Sequence, residues 1–171
     1  MAYKIENDNS YTSQMANLVA MMDYARSTTL EAVEGLTMEE LDYIPHEEAN
    51  SIGSLLFHIA AIEKGFQIEL FDGRRPNQEE MVEWGAAYSL GNQGRSEIRG
   101  HSLDFYLDKL TEVRARTLEE FKVRNDEWLY EDCLWDGHKS NHYFIWFHVF
   151  EDEINHRGQI RMTRKMLRAK V

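Results

Sequence analysis

Apolar residues recur at helical spacing through four long stretches of the chain. The first runs from about Thr12 to Val33, with Met15, Leu18, Val19, Met22, Ala25, Leu30 and Val33 on one stripe close to the 3.6-residue period. Gly35 supplies its stop. A short helical turn follows, opened by Thr37 with Glu40 three residues on, the pattern of a capping box. The second long stretch starts at Asn50 or Ser51, both good N-caps, and carries Ile52, Leu55, Leu56, Ile59, Ile62, Phe66 and Leu70 until "DGRRP" ends it. Residues 72–101 are rich in Gly, Asn, Gln and charge, and read as the longest irregular connection. Ser102 then caps a third helix bearing Leu103, Tyr106, Leu107, Leu110, Val113 and Phe121. "RNDEWLYEDCLWDGHKSNH" packs Trp and Tyr between turn residues and reads as a structured loop, with no alternating strand. The last helix spans about Asn141 to Arg168. Four long amphipathic helices with irregular connections predict one all-α domain over residues 1–171, a four-helix bundle.

The last helix breaks its own pattern. "HVFEDEINHRGQIRM", residues 148–162, sets His148, Asp152, His156 and Gln159 among Ile145, Val149, Ile160, Thr163 and Leu167. Burying such polar groups costs several kcal/mol unless something pairs with them, so this face meets water or a ligand. Residues four apart differ by about 40° in direction and about 6 Å in rise. Asp152 can therefore share a small ion with His156 or with His148. His148 and His156 stand about 12 Å apart, too far for two bonds of about 2 Å to one ion. A third ligand has to come from another helix. His58, in "SLLFHIAAIE", flanks the stripe on the side of Leu55 and Ile62 and is the candidate. Two imidazoles and a carboxylate leave open positions, as catalytic zinc and non-haem iron sites do. The same spacing also suits a hydrated groove with His156 bonded to a neighbouring carboxylate. Glu153-x-x-His156 matches half of the di-iron bundle motif, but a second Glu-x-x-His is missing, which discounts a carboxylate-bridged di-iron centre.

Three segments of the chain resemble signatures of a known family. "HVFEDEINHRGQIRM" resembles the last-helix signature of the DinB-like (DinB/YfiT-type) metal-binding bundles, in which a His is followed by Arg-Gly-Gln. "SIGSLLFHIAAIEKGFQ" resembles their second helix: a Ser or Thr start, an apolar pair, the His, and a Glu five residues later. "MMDYARSTTLEAVEGLTMEELDY" resembles the first helix, and the likeness is weakest over residues 72–101. The resemblance implies a DinB/YfiT-type four-helix bundle with long irregular loops, and one divalent ion, commonly nickel, zinc or iron, held by three residues that are usually all His. Carried over by motif, these are His58, Asp152 and His156. Asp152 departs from the usual pattern. A carboxylate still serves zinc, iron or manganese, but it removes a soft nitrogen and adds a charge. His148 is then expected to line the pocket or support the ligands, and Gln159 to hydrogen-bond beside them. Glu63 is expected on the helix surface or as a supporting carboxylate, and Gly158 to permit close helix approach.

The resemblance further implies a homodimer and thiol-S-transfer, the conjugation of a low-molecular-weight thiol such as bacillithiol to an electrophile. A second class stays open, a non-catalytic metal- or ligand-binding stress-response protein. Nothing else in the chain offers chemistry. It has no nucleophile motif, phosphate loop or dinucleotide fingerprint, so a reaction would have to run through the metal.

Charge narrows the partners. A net charge of −11 argues against nucleic-acid phosphate, which requires a basic patch. The basic run "RMTRKMLRAK" complements a helix C-terminus instead. Cys133 is the single cysteine, which excludes an intramolecular disulfide. No apolar N-terminal run and no stretch of ~18 apolar residues is present, so the expectation is a soluble cytoplasmic protein without membrane contact. His101, His138 and His142 fall at loop–helix junctions and read as exposed. Trp135, Tyr143, Phe144 and Trp146 read as core or dimer contact.

Overall fold

Side chains set the first turn of almost every helix. A computed structural model describes residues 3–6 and 8–169. Helix α1 (Ser13–Val33) begins under a carboxylate borrowed from elsewhere in the chain. Asp126 Oδ1 accepts from the backbone N–H groups of Gln14 at 3.0 Å and Met15 at 3.2 Å, and from the Thr12 hydroxyl at 2.5 Å. The Thr37 capping box opens α2 (Met38–Leu41), and Ser51 caps α3 (Ile52–Leu70). Ser102 caps α6 (Leu103–Lys122), Asn125 caps α7 (Asp126–Leu129), and Asn141 caps α8 (His142–Arg168). The four long helices form the predicted bundle, in which α1 packs against α8, and α3 against both α6 and α8. The chain is an all-α bundle.

Two features depart from the sequence reading. Residues 72–101 are not irregular, because they hold α4 (Gln78–Ser89) and α5 (Gly91–Glu97). Trp84, Ala86, Ala87 and Ile98 join the core from this segment. These apolar positions are too few and too short-ranged to form a periodic stripe, although Asn77 with Glu80 makes a capping box of the kind used for α2. The aromatic connection before α8 also carries a hairpin, β1 (Asp132–Trp135) paired antiparallel with β2 (His138–Asn141). Its turn residues, Asp136 and Gly137, both take positive φ, 49° and 77°, as a two-residue type I′ turn demands.

The core divides into two apolar clusters. One gathers Leu55, Leu56, Ile59, Trp84, Tyr106 and Leu110, mostly between α3, α4 and α6. The other gathers Met15, Leu18, Met22, Phe121, Trp146 and Phe150 around α1 and α8. Where one cluster gives way to the other, each long helix buries a charged residue: Arg26 on α1, Glu63 on α3, Arg114 on α6 and Glu153 on α8. Glu63 is fully buried and therefore not the surface carboxylate the sequence suggested. It accepts from Arg114 at 2.8 Å, from Arg26 at 3.1 Å and from the Thr117 hydroxyl at 2.7 Å. Glu153 accepts from Arg26 at 3.0 Å and lies 3.6 Å from Arg114. Two largely buried guanidinium groups and two fully buried carboxylates thus balance one another.

Smaller expectations also change. His142 is buried, its Nδ1 lying 3.0 Å from the Trp128 carbonyl and its ring against the Trp128 indole. Leu30 is 40% exposed and leaves the apolar stripe of α1. A Cβ added at Gly158 meets nothing within 4 Å, so this glycine is not a helix-contact point. Close approach occurs at Gly53 instead, where a Cβ would stand 2.5 Å from the Tyr106 hydroxyl. Trp146 is core, whereas Phe144 and Phe147 remain 41% and 45% exposed. No helix among the described residues is long and apolar enough to cross a membrane.

Candidate metal centre

Helices α3 and α8 bring His58, Asp152 and His156 together. One ligand-type atom from each of the three lies within 4.8 Å of the others, and they form the one such group of His, Cys, Asp or Glu found among the described residues. His156 Nε2 stands 3.3 Å from Asp152 Oδ1, and His58 Nε2 stands 3.7 Å from Asp152 Oδ2. The two imidazole rings meet edge to face with centroids 4.8 Å apart. Bonds of ~2.1 Å in tetrahedral coordination separate neighbouring donors by about 3.4 Å, close to both carboxylate–imidazole distances.

A backbone contact decides how His58 presents itself. Its Nδ1 lies 2.7 Å from the carbonyl oxygen of Ala87, which can only accept. Nδ1 therefore carries the proton, and Nε2 turns a lone pair toward Asp152 and His156. This is the arrangement by which imidazole ligands are commonly oriented. Ala87 belongs to α4, the helix that sequence periodicity did not predict, and a backbone carbonyl leaves no residue-type signal.

Burial pushes the His58 imidazole below its ordinary range, and the charge of His156 adds to this. The Ala87 carbonyl and Asp152 oppose it. Burial pushes the Asp152 carboxyl up, but the bond from His156 and the charges of His156, His58 and His148 outweigh it and hold the carboxyl low. Two buried atoms in the cluster lack hydrogen-bond partners, Asp152 Oδ2 and His156 Nδ1. An unsatisfied buried polar atom costs about 1–3 kcal/mol. A carboxylate oxygen left open between two imidazoles is what a cation would satisfy, and the N, O, N donor set suits zinc, iron or manganese. The residues present fit a divalent ion.

The other residues singled out on the sequence lie around this cluster without joining it. His148 is half-buried, with Nδ1 3.2 Å from Glu151 and its ring between Phe66 and Trp135. Gln159 is exposed and its side chain makes no hydrogen bond among the described residues; it lines a groove with Asn155 and Met162. Glu63 belongs to the buried charge network and touches none of the three. Sequence reasoning missed Arg26, Arg114 and Glu153 as that network's other members.

Proton linkage gives a first expected result. A His whose folded pKa is lowered binds its proton more readily in the unfolded chain, so stability falls as pH drops below the unfolded value of ~6.5. A carboxylate held low adds a loss of the same sign only below about pH 4. In chelator, the melting temperature should decline between pH 7.5 and 5, and His58→Gln should flatten part of that decline. An unchanged slope in the variant would remove His58 from the linkage.

Comparison with known proteins agrees with the architecture. Two solved structures share the fold: a conserved protein from Enterococcus faecalis and a protein from Streptococcus pneumoniae. The first is 17% identical with a TM-score of 0.68, covering 87% of this chain and 94% of its own. The second is 14% identical with a TM-score of 0.63, covering 91% and 90%. No curated protein matches the chain. The family model for mycothiol-S-transferases matches residues 17–169, nearly the whole length. With both metal-motif helices inside that span, the chain belongs to the mycothiol-S-transferase family of DinB/YfiT-like helical proteins.

Proposed function

We propose that the protein is a divalent-metal-dependent thiol-S-transferase that joins a low-molecular-weight thiol, such as bacillithiol, to a small electrophile. The observation that carries this reading is the convergence of His58, Asp152 and His156, with Asp152 Oδ2 buried and unpartnered, in a chain of this family. These three residues would hold the ion: zinc, iron, manganese or nickel. When bound, such an ion lowers the pKa of a thiol and so raises the share of nucleophilic thiolate at neutral pH. The chain's own contribution is placement. The Ala87 carbonyl fixes the tautomer and tilt of His58. Asp152 supplies the negative charge that offsets part of the cation's, and Phe66 and Trp135 hold His148 beside the cluster without bringing it in.

The test is turnover with bacillithiol and mycothiol against a panel of electrophiles, on protein loaded in turn with each of the four ions. Activity is expected to vanish in chelator and to return when metal is restored. Tight metal binding with no turnover on any pair would sink the transferase and leave a binding protein. A homodimer belongs to the same proposal, supported by the apolar surface that Phe144, Phe147 and Ile154 leave on α8. A monomer alone in sedimentation at micromolar concentration would remove it.

A further inference from the structure

We infer that Asn50 is a positioning residue for the metal cluster: by holding the Gly91 N–H, it keeps the Ala87 carbonyl free for His58. This rests on the metal reading above and extends it to a residue that touches none of the three ligands.

The exchange takes place where α4 passes into α5. A helix running on from α4 would bond the Gly91 N–H to the Ala87 carbonyl, four residues back. The chain makes the preceding bond of that series, from the Leu90 N–H to the Ala86 carbonyl at 3.1 Å, and then stops. Leu90 takes φ 50° and ψ −145°, which turns the Gly91 N–H away. Two backbone groups are thereby released, and each finds a partner at or beside α3. The Gly91 N–H donates to Asn50 Oδ1 at 3.1 Å. The Ala87 carbonyl lies 2.7 Å from His58 Nδ1 and accepts its proton. Asn50 is available for this because Ser51 caps α3, its hydroxyl accepting from the Ser54 N–H at 3.1 Å.

Strain gives the exchange a direction. The conformation of Leu90 is one that glycine usually occupies, because a Cβ crowds the backbone there. Another residue stays in it only where its surroundings hold it. Other ties reach α5 further along: the Ser54 hydroxyl donates to the Gly94 carbonyl at 3.3 Å, and Arg95 donates to the Glu48 carbonyl at 3.2 Å. Among the described residues, the Asn50 bond is the hydrogen bond from another element that reaches the Leu90–Gly91 pair. Without it, the relaxed alternative is one more residue of α4. Leu90 returns to helical φ, the Gly91 N–H closes on Ala87, and His58 must compete for that carbonyl. Its proton can then move to Nε2, the nitrogen 3.7 Å from Asp152 Oδ2. A protonated Nε2 has no lone pair for an ion.

The test uses full-length protein carrying isotope-labelled histidine. In the metal-free protein, NMR of the ring nitrogens reads which one of His58 holds the proton, and calorimetry with zinc then reads affinity. Wild type is expected to hold it on Nδ1. Asn50→Ala should mix the two tautomers and weaken zinc binding about tenfold, the low end for losing a partner that orients an imidazole ligand. Asn50→Asp keeps the acceptor oxygen and should match wild type in both readouts. Added to Asn50→Ala, Leu90→Gly should restore tautomer and affinity, whereas Leu90→Ala should not. Both give up the packing of the leucine side chain, but only glycine removes the strain. An unchanged tautomer in Asn50→Ala, equal losses in Asn50→Ala and Asn50→Asp, or equal recovery from Leu90→Ala overturns the inference. If wild type binds no divalent ion while Asn50→Ala still shifts the His58 proton, the metal reading fails and the role of Asn50 in orienting His58 stands.

Discussion

Glu63→Ala is expected to lower stability by about 3–5 kcal/mol, the cost of removing one partner from a buried charge pair. Glu63 is completely enclosed and accepts from Arg26, Arg114 and Thr117 together. Without it, two buried guanidinium groups face the single carboxylate of Glu153. Asp23 lies 3.7 Å from Arg114 but is 59% exposed, so water screens most of what it offers. Burial pushes the Glu63 carboxyl up, but the charges of Arg114 and Arg26 and the hydrogen bonds of Arg114 and Thr117 hold it below the usual carboxylate range. Its contribution is thus complete at neutral pH and is lost only as pH falls below about 4. The double variant Glu63→Leu, Arg114→Met leaves Arg26 balanced by Glu153 and should recover most of the loss. Urea unfolding decides the matter. A loss under about 1 kcal/mol in the single variant, or no recovery in the double, would refute charge balance as the reason for the cost.

Asp152→Asn carries the second largest expected effect, on metal rather than on folding. Asn keeps the size of the side chain and removes its charge, so affinity for a divalent ion should drop by an order of magnitude or more. Asp152→His should restore binding and move preference toward nickel, copper or zinc, since imidazole is softer than carboxylate. His148→Ala should do far less. His148 lies two helical turns from His156, about 12 Å, and its Nδ1 is occupied by Glu151 at 3.2 Å. Metal content per chain and calorimetric affinity for the three variants measure this directly. If His148→Ala abolishes binding while Asp152→Asn leaves it intact, the ion sits a turn higher on α8 and the assignment fails.

What the sequence disclosed follows from what leaves a local trace. Thr37, Ser51, Ser102 and Asn141 are caps by residue type, and each opens the helix expected of it. Met22, Leu55 and Leu110 repeat at helical spacing because each long helix buries one face along its whole length. Helix α4 is only 12 residues long and buries Trp84, Gly85, Ala86 and Ala87 in succession, which has no helical period. The hairpin was signalled by Asp136-Gly137, but strands as polar as His138–Asn141 give no alternation to confirm it. The candidate ligands could be read because His and Asp on an apolar stripe demand an explanation. The charge network could not, because Arg26, Glu63, Arg114 and Glu153 look like solvent-facing residues until four helices close around them.

The same network separates two events that many metalloproteins combine. His58 shares α3 with Glu63, and Asp152 and His156 flank Glu153 on α8, so the helices that would carry the ion are pinned together by internal charges summing to zero. Small zinc domains need metal to hold their chain ends together. This bundle is expected not to, since its own buried charges pin the same helices. Under the metal reading, newly made protein folds whatever the metal supply, and the ion is chosen afterwards by the free concentrations around it. The same chain expressed in media of different metal content should then be recovered with different ions in one unchanged fold.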